Sequence, residues 1–564
     1  MYHDYIIGIN FGSHDSSVTL YHEGVILCSL EEERLNKEKH TKKFPEQSLQ
    51  FIISKYDLDK GKKVLVVYFM NPWKLLLSPI IVGYKSISIA AFLRAVRKSY
   101  QRLNNWYFLK SWCRKNGFNV TYIEHHLAHA ASAYYLSPFD SCTIVSIDGK
   151  GEYLSVAVFE AKHGTIKKIK GFSSPFSVGY FYSFLTEFLG FNPHRDEYKV
   201  MGLAAYGHPI FVGELSKIFS FSKKGIYHIN LNICRYWAKS KQNKFQNLIK
   251  VLGKYRDKNE VIEQRHKDIA ASLQRHTEEV VENIVDYSLK LANNENLCLT
   301  GGVALNCLSN SNLAAKGYAK NIFIPPFPND CGTSIGAALA KQKSSSYIDL
   351  KLWTPFLGIE YSNEEISETL KIFQNQIEYT FIENPNKVGA NLLADGNIIG
   401  WFQGKMEFGP RALGNRSILA PATSLVIKDK LNALIKNREP FRPFAPMILA
   451  EFCSEYFSFN EAISPSLSFM ICTGIGKEIA KKKIPAALNV DDSARIQTIN
   501  KLFNFNCWEL LNHYYMTTGI PAIINTSFNV NNVPIVNSPV DAVELFLESN
   551  LDYSVIGNYL ISKK

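Results

Sequence analysis

Two stretches decide the reading of the fold. The first is Tyr5-Ile-Ile-Gly-Ile-Asn10, followed by FGSHDSS and by Val18-Thr-Leu-Tyr. The second is Cys142-Thr-Ile-Val-Ser-Ile-Asp148-Gly-Lys-Gly-Glu152, followed by Tyr153-Leu-Ser-Val-Ala-Val. Each reads as an apolar strand, a turn rich in Gly, Ser or Asp, and a second apolar strand. Glycine lets a backbone approach an anion closely, and the N–H groups of such a turn can receive a phosphate. Either stretch alone is equally well a plain hairpin. Their recurrence about 138 residues apart implies a duplicated unit with a nucleotide cleft between its halves. Asn10 and Gly12 in the first turn, and Gly149 and Gly151 in the second, are the candidate cofactor-binding positions.

The fold class expected from this repeat is α/β, with a duplicated actin-like (ASKHA) N-terminal domain of the kind found in sugar-kinase-like ATPases. A third glycine site, Leu297-Cys-Leu-Thr-Gly301-Gly302-Val-Ala-Leu-Asn306, follows a long helical segment. It reads as a buried strand, a Gly-Gly turn and a helix start. Such a turn can lie against an adenosine or place a phosphate at the helix N-terminus, or it can be ordinary strand-on-helix packing.

Glu124-His125-His126-Leu-Ala-His129 looks like the start of a helix. His125 and His129 are four residues apart and share a face, so both can reach one metal ion, while His126 points elsewhere. Two histidines make a weak site. Carboxylates at Asp148 and Asp330 would complete a His₂Asp₂ set compatible with iron, manganese or zinc, if the fold brings them together. The plainer role for Asp330, in Pro-Pro-Phe-Pro-Asn-Asp330-Cys-Gly, is to cap a helix.

Beyond a polar stretch, KQKSSSYIDLK, the composition changes, and this is the expected boundary between residues 1–345 and 352–564. A second polar, basic region, 236–258, reads as a surface excursion of the first part. In the second part, arginines sit among Gly, Pro and Asn: Lys405, Arg411 and Arg416 in Gln403-Gly-Lys-Met-Glu-Phe-Gly-Pro-Arg-Ala-Leu-Gly-Asn-Arg416, then Arg438, Arg442 and Arg495. Asn525 and Ser527 follow an apolar strand. Guanidinium groups on such loops suit forked contacts with phosphate or carboxylate better than core packing, although a set of surface salt bridges would look similar.

The net charge of +12 is unevenly spread: 44 of the 63 Lys+Arg and 30 of the 51 Asp+Glu precede Leu350. The composition excludes disorder, collagen and coiled coil. Ten scattered cysteines without CxxC suit reduced thiols in the cytoplasm. The N-terminus lacks a signal-peptide pattern, and the longest apolar stretch, Leu75–Leu93, is broken by Pro79, Gly83 and Lys85. A soluble protein without a membrane partner is therefore expected. From Lys85 to Lys115 there are eight basic residues and no acidic one. At helical spacing these form a cationic face, either solvated or steering an anionic acceptor toward the cleft.

Taken in order, HHLAHAASAYY, SIDGKGE, DEYKVMGLAAYG, TGGVALN, PPFPNDCGTSIGAAL, FGPRALGNRSILA, REPFRPFAP and NTSFN strongly resemble the ATP-dependent O-carbamoyltransferases that decorate antibiotics, nodulation factors and other glycosides. The resemblance spans nearly the whole chain and implies the following. The actin-like domain would hold a metal, usually iron, on His125, His129, Asp148 and Asp330. The second domain would be a YrdC-like twisted α/β fold in which carbamoyl phosphate and ATP, the latter with Mg²⁺, give carbamoyl adenylate, assisted by Lys405, Arg411, Arg416, Arg438, Arg442 and Arg495. Lys199, Gly301, Gly302, Asn306, Asn525 and Ser527 would join the substrate contacts. Transfer to an acceptor hydroxyl would follow in the first domain; from their own chemistry His14 and Asp15 are candidates for a histidine base and its acidic partner there, the plainer role for His14 being a turn or phosphate hydrogen bond. The acceptor would be a small molecule, anionic or glycosylated, and not nucleic acid; a homodimer is compatible. A tRNA-modifying carbamoyl transferase and an inactive nucleotide-binding scaffold are the competing readings. Asn532-Val533 and Asp491-Asp492-Ser493 depart from the family's usual pattern, as does the loosely matching segment Trp73–Lys115.

Overall fold

The computed structural model describes residues 3–59, 61–222, 227–342, 353–435, 439 and 441–564, with the backbone alone for 434 and 435. The chain forms two compact units. The first comprises Met1–Leu27, His40–Trp353 and Glu461–Ile463; the second comprises Cys28–Lys39, Thr354–Asn460 and Ser464–Lys564. The linker expected between 345 and 352 lies outside the described residues.

The repeat in the sequence reappears as a repeat in topology. One sheet contains β1 (Tyr5–Asn10), β2 (Ser17–His22), β3 (Val25–Glu31), β4 (Val64–Tyr68) and β5 (Asn119–Tyr122), in the order β3-β2-β1-β4-β5. A second contains β6 (Ser141–Ile147), β7 (Leu154–Lys162) and β8 (Thr165–Ser173). After a small hairpin, β9 (Phe219–Phe221) with β10 (Tyr227–Ile229), it is completed by β11 (Asn296–Thr300) and β12 (Asn321–Phe323), in the order β12-β11-β6-β7-β8. Read from the same edge, the orders are identical. In each sheet the first strand pairs antiparallel with the second and parallel with the fourth. Central strands covered on both faces need apolar residues throughout rather than in alternation, and β1 and β6 are buried along almost their whole length.

Each sheet ends in a helix, and the two helices meet. His125–Tyr134 follows β5, and Gly332–Leu339 follows β12; almost every residue of both is buried. Their small side chains let the backbones touch. A Cβ on Gly336 would fall 1.7 Å from the carbonyl oxygen of Ala128, so any side chain there would force the helices apart. Duplication thus sets one helix carrying histidines against another preceded by an aspartate.

Region 236–258 is less peripheral than its polarity suggested: Phe245, Leu248 and Leu252 are buried. Arg256 is buried as well, its guanidinium bonding the carbonyls of Leu189 and Glu260. Three aromatic and aliphatic anchors outweigh the run of lysines around them.

The second unit carries β13 (Ile377–Phe381), β14 (Ile399–Phe402), β15 (Arg416–Pro421), β16 (Ala445–Leu449), β17 (Phe457–Ser458), β18 (Thr473–Gly476), β19 (Ser493–Arg495), β20 (Gln497–Ile499), β21 (Ala522–Ser527), β22 (Tyr553–Ile556) and β23 (Tyr559–Lys563). Eight of these form a mixed sheet, ordered β13-β23-β22-β14-β15-β21-β16-β20. Its core gathers Trp401, Leu419, Met447 and Ile523 from the strands. The helices Pro385–Ala394 and Phe505–Thr518 supply Leu393, Leu510 and Tyr514.

Candidate active site

Asp148 directly follows β6, His125 and His129 lie one turn apart on the first of the two touching helices, and Asp330 precedes the second. The structure brings all four together: one ligand atom from each lies within 4.8 Å of the others. His125 Nε2 is 3.0 Å from Asp148 Oδ2 and 3.8 Å from Asp330 Oδ1, while His129 Nε2 is 3.6 Å from Asp330 Oδ1. None of the four is more than 7 % exposed. Both ring nitrogens of His129 and Oδ1 of Asp330 are buried without a hydrogen-bond partner. Buried polar atoms are almost always satisfied, so converging orphans of the donor types that bind transition metals make this a candidate cation site. The residues fit the metal that the sequence suggested.

Electrostatics agree. Burial alone would suppress charge on His125, but the Asp148 hydrogen bond and the Asp330 carboxylate raise its pKa. Burial opposes ionisation of Asp148 and Asp330 too, yet their histidine neighbours hold both carboxyls below the usual range. His126, by contrast, bonds Ser146 and the Leu154 carbonyl, and burial pushes it down to about 3. It is a neutral structural residue, pointing away as its position on the helix requires.

The supports are local. Gly301 has φ +88°, and a Cβ there would lie 2.3 Å from the Ile147 carbonyl oxygen. Only glycine lets the turn after β11 cross β6 so closely. That crossing delivers the Gly302 N–H to Asp148 Oδ1 at 3.1 Å. Glu152 accepts from the N–H of His125 at 3.0 Å and of Asn71 at 2.8 Å, fixing the start of the histidine helix. Nothing local in SIDGKGE marks Glu152 for this role, because both donors lie elsewhere in the chain.

His14 and Asp15 occupy the first turn, beside this cluster. His14 Nδ1 is 3.0 Å from Asp15 Oδ2, and its Nε2 lies 3.9 Å from Asp330 Oδ2. Asp15 is held further by His40 at 2.7 Å and by Asn329 at 2.9 Å, neither of which the sequence singled out because both are distant in the chain. Burial works against a charged His14, but the Asp330 and Asp15 carboxylates outweigh it and raise its pKa. The two carboxylates thus favour the charged form of His14, and a cation bound at Asp330 would oppose that effect.

The two turns are less open than expected. The Gly12 N–H donates to the Lys42 carbonyl, and the Gly151 N–H to the Leu154 carbonyl, so neither is offered to a phosphate. Asn10 bonds the carbonyls of His14, Asp15 and Asp330, shaping the turn and anchoring the loop that bears Asp330. Gly149 accepts from Ser177 Oγ through its carbonyl. Asn306, expected to touch cofactor, caps the helix Cys307–Ala315 and bonds Gln274. Lys199 is buried 3.4 Å from Asp196. Both thus have neighbours within the fold.

Above the turns lies the helix Ile89–Lys115, which contains most of the basic run. Its Arg102 donates to the Gly151 carbonyl at 3.0 Å, and its Asn105 packs on Gly12. Lys98, Arg102 and Lys150 meet no carboxylate among the described residues. Partial loss of hydration and mutual repulsion lower the exposed Lys98 to about 8 and the half-buried Lys150 to about 7.

The second unit corrects the sequence reading most sharply. Arg416, expected to grip phosphate, is fully buried and stacks 3.6 Å above the Phe402 ring. Its two terminal nitrogens donate to the carbonyls of Gln403, Asn415, Ile359 and Gly404 at 2.8–3.0 Å. It is a clamp for the loop before β15. Glu407 shapes the same loop, one oxygen accepting from the N–H groups of Leu413, Asn415 and Arg416. Asn525 is likewise internal, bonding Gln497 at 2.7 Å. Ser527 sits opposite Ser417 in the β15–β21 ladder and bonds Asn529. Lys405 is exposed, Arg411 and Arg495 are partly exposed, and Arg442 lies 3.6 Å from Glu439. Arg438 is outside the described residues.

Comparison with known proteins places this geometry. Residues 5–339 match the family description "Carbamoyltransferase N-terminus", and residues 390–563 match "Carbamoyltransferase C-terminus". A Synechocystis protein, sll1178, is 33% identical over 99% of this chain and 97% of its own length. Nodulation protein NolNO of Sinorhizobium fredii is 32% identical over 98% of this chain and 79% of its own. Nodulation protein NolO of Bradyrhizobium diazoefficiens is 35% identical over 78% of this chain and 79% of its own. Among solved structures, component A of the Acidaminococcus fermentans (R)-2-hydroxyglutaryl-CoA dehydratase aligns at 15% identity with a TM-score of 0.33, over 60% of this chain and 96% of that one.

Proposed function

This chain belongs to the carbamoyltransferase family and is a carbamoyltransferase; from that premise we propose that it carbamoylates a hydroxyl of a small, anionic acceptor, using carbamoyl phosphate and ATP by way of carbamoyl adenylate. The observation that carries the transfer step is the His125–His129–Asp148–Asp330 cluster with the His14–Asp15 pair beside it. A metal held by those four residues, iron being the family's expectation and manganese or zinc compatible, would polarise the carbamoyl carbonyl.

The chain's own groups do the rest. Asp15 bonds Nδ1 of His14 and leaves Nε2 directed at the cluster. There His14 takes the proton of the acceptor hydroxyl as its oxygen bonds the carbamoyl carbon, while the bond from that carbon to the adenylate oxygen breaks and AMP leaves. His40 and Asn329 hold Asp15 in place, so orientation of the base costs nothing during the reaction. Lys98 and Arg102, cations that meet no carboxylate among the described residues, support an acceptor bearing phosphate or carboxylate, with the Lys150 amine beside them. The adenylate step is assigned to the second unit, whose Lys405 is exposed and whose Arg411 and Arg495 are partly exposed. The tRNA alternative is less well supported, since both family descriptions and the NolO-type relatives cover both units of this chain.

The test uses radiolabelled carbamoyl phosphate, ATP and Mg²⁺ with matched neutral and phosphorylated sugars. The expected result is ATP-dependent label in a phosphorylated sugar and pyrophosphate released with it. Label appearing only in RNA, or no carbamoyl-phosphate-dependent loss of ATP with any acceptor, overturns the reading.

A further inference from the structure

The segment from Trp73 to Lys115 folds as a helical hairpin that exposes far more apolar surface than the rest of the chain. A short turn, Lys74–Leu76, leads into the helix Leu77–Ser86, and the long helix Ile89–Lys115 returns. The arms cross closely: a Cβ on Gly83 would meet the Phe92 ring at 3.0 Å. Of the 29 large hydrophobic residues that are exposed among the described residues, 13 lie between Trp73 and Phe108. Single exposed apolar side chains are ordinary; a contiguous set is a contact surface.

These side chains are in register. On the first arm Trp73, Leu76, Leu77, Ile80, Tyr84 and Ile87 follow helical spacing, with Ile80 64 %, Tyr84 85 % and Ile87 94 % exposed. On the second arm Ile89, Leu93, Val96, Tyr100 and Tyr107 fall on one face by the same rule. The buried face, with Ala91, Ala95, Ser99 and Trp106, lies about a third of a turn away. The hairpin therefore has two apolar faces, one serving the core and one facing outward.

The charge pattern identifies the occupant. Between Trp73 and Lys115 the chain has nine basic residues and no acidic one. Arg97 and Lys115 flank the outward stripe, and Lys110 and Arg114 continue it; all four are exposed. Apolar and aromatic side chains bordered by cations, with anions absent, match the boundary between headgroups and acyl chains of an anionic bilayer. A second copy of the same face would set like charges against each other, which disfavours a symmetric dimer there.

We propose that the helical hairpin Trp73–Lys115 docks this protein on a lipid bilayer carrying anionic headgroups. No spanning segment is required: among the described residues no helix is long and apolar enough to cross a membrane. The sequence-based expectation of no membrane partner followed from that absence, and an interfacial hairpin lies outside its reach. The face of the long helix bearing Arg102 and Asn105 touches the two catalytic turns. Docking through the other face would hold the cleft about one helix diameter, ~10 Å, from the headgroups.

The test is sedimentation of the full chain with vesicles of phosphatidylcholine alone, or of phosphatidylcholine with phosphatidylglycerol. Light scattering without lipid reads self-association through the same face. The expected result is co-sedimentation with the anionic vesicles only, reversed by about 0.5 M salt. The triple variant Ile80→Ser, Tyr84→Ser, Ile87→Ser should weaken partition about a hundredfold. Arg97→Glu should weaken it about tenfold through charge alone, leaving the circular dichroism spectrum unchanged. Equal sedimentation with both vesicle types, or with neither, overturns the proposal. So does a dimer of the wild type that the triple variant abolishes while vesicle binding stays unchanged. Lipid binding needs no turnover, so a failed carbamoylation assay does not touch this result, nor the reverse.

Discussion

The His/Asp cluster of the first unit is gathered from three separate segments, whereas the arginine loop of the second unit is one continuous stretch, and the two differ in what their polar groups bond. In the cluster, the ring nitrogens of His129 and an oxygen of Asp330 converge with no partner. In the loop, four main-chain carbonyls satisfy the two terminal nitrogens of Arg416. A buried polar group left unsatisfied is expensive. The terminal nitrogens of Arg416 are taken up by carbonyls and only its Nε is left without a hydrogen bond among the described residues, whereas in the cluster several orphaned atoms of metal-binding type converge on one point.

The largest effect expected from this contrast is at His129. His129→Ala should lose bound metal, measured by elemental analysis, and at least about a hundredfold in carbamoyl transfer, because a small buried neighbour cannot replace a ligand. Unchanged metal content would reduce the cluster to a polar core. Arg416→Ala should instead act on stability. It strips four carbonyls of their donor and opens a cavity, and the cost is about 3–5 kcal/mol. Denaturant unfolding should show this in the second unit's transition. A soluble, normally stable Arg416→Ala protein that had lost only adenylate formation would break the comparison by making Arg416 a substrate contact.

Smaller effects sharpen it. Asn306→Ala should cost about 1 kcal/mol, the usual loss on removing a helix cap, with KM for ATP unchanged. A rise in that KM without a change in Tm would restore the cofactor role expected from sequence. The smallest effect belongs to Lys98, which has no carboxylate partner and reaches no loop carbonyl. Lys98→Ala should raise KM for a phosphorylated acceptor about three- to fivefold and diminish its salt dependence, while KM for a neutral acceptor stays the same. Equal changes for both acceptors would deny the cation a part in recognition.

Much of this was legible in the chain. Spacing placed His125 and His129 on one helical face and sent His126 elsewhere, because the period of an α-helix is fixed by its backbone. The repeated strand–turn–strand pattern announced two equivalent halves, and the two sheets share one strand order. The unread parts were long-range. His40 and Asn329 gained meaning only through Asp15, and no local pattern connects positions that far apart. The same is true of the carbonyls that occupy Arg416, one of which comes from Ile359.

What the sequence alone determined was the class of chemistry: a duplicated α/β frame, a candidate metal-ligand set of histidines and carboxylates, and motifs in the order of a carbamoyltransferase. These depend on residue type and short spacing, which backbone periodicity converts directly into geometry. Tertiary structure decided which polar groups remain available and which way each face of the basic helix points. Both depend on burial and on partners outside the local motif, so Arg416 holds four carbonyls, one of them from Ile359, His129 meets Asp330 from a distant loop, and the hairpin around Ile80 and Tyr84 exposes an apolar surface.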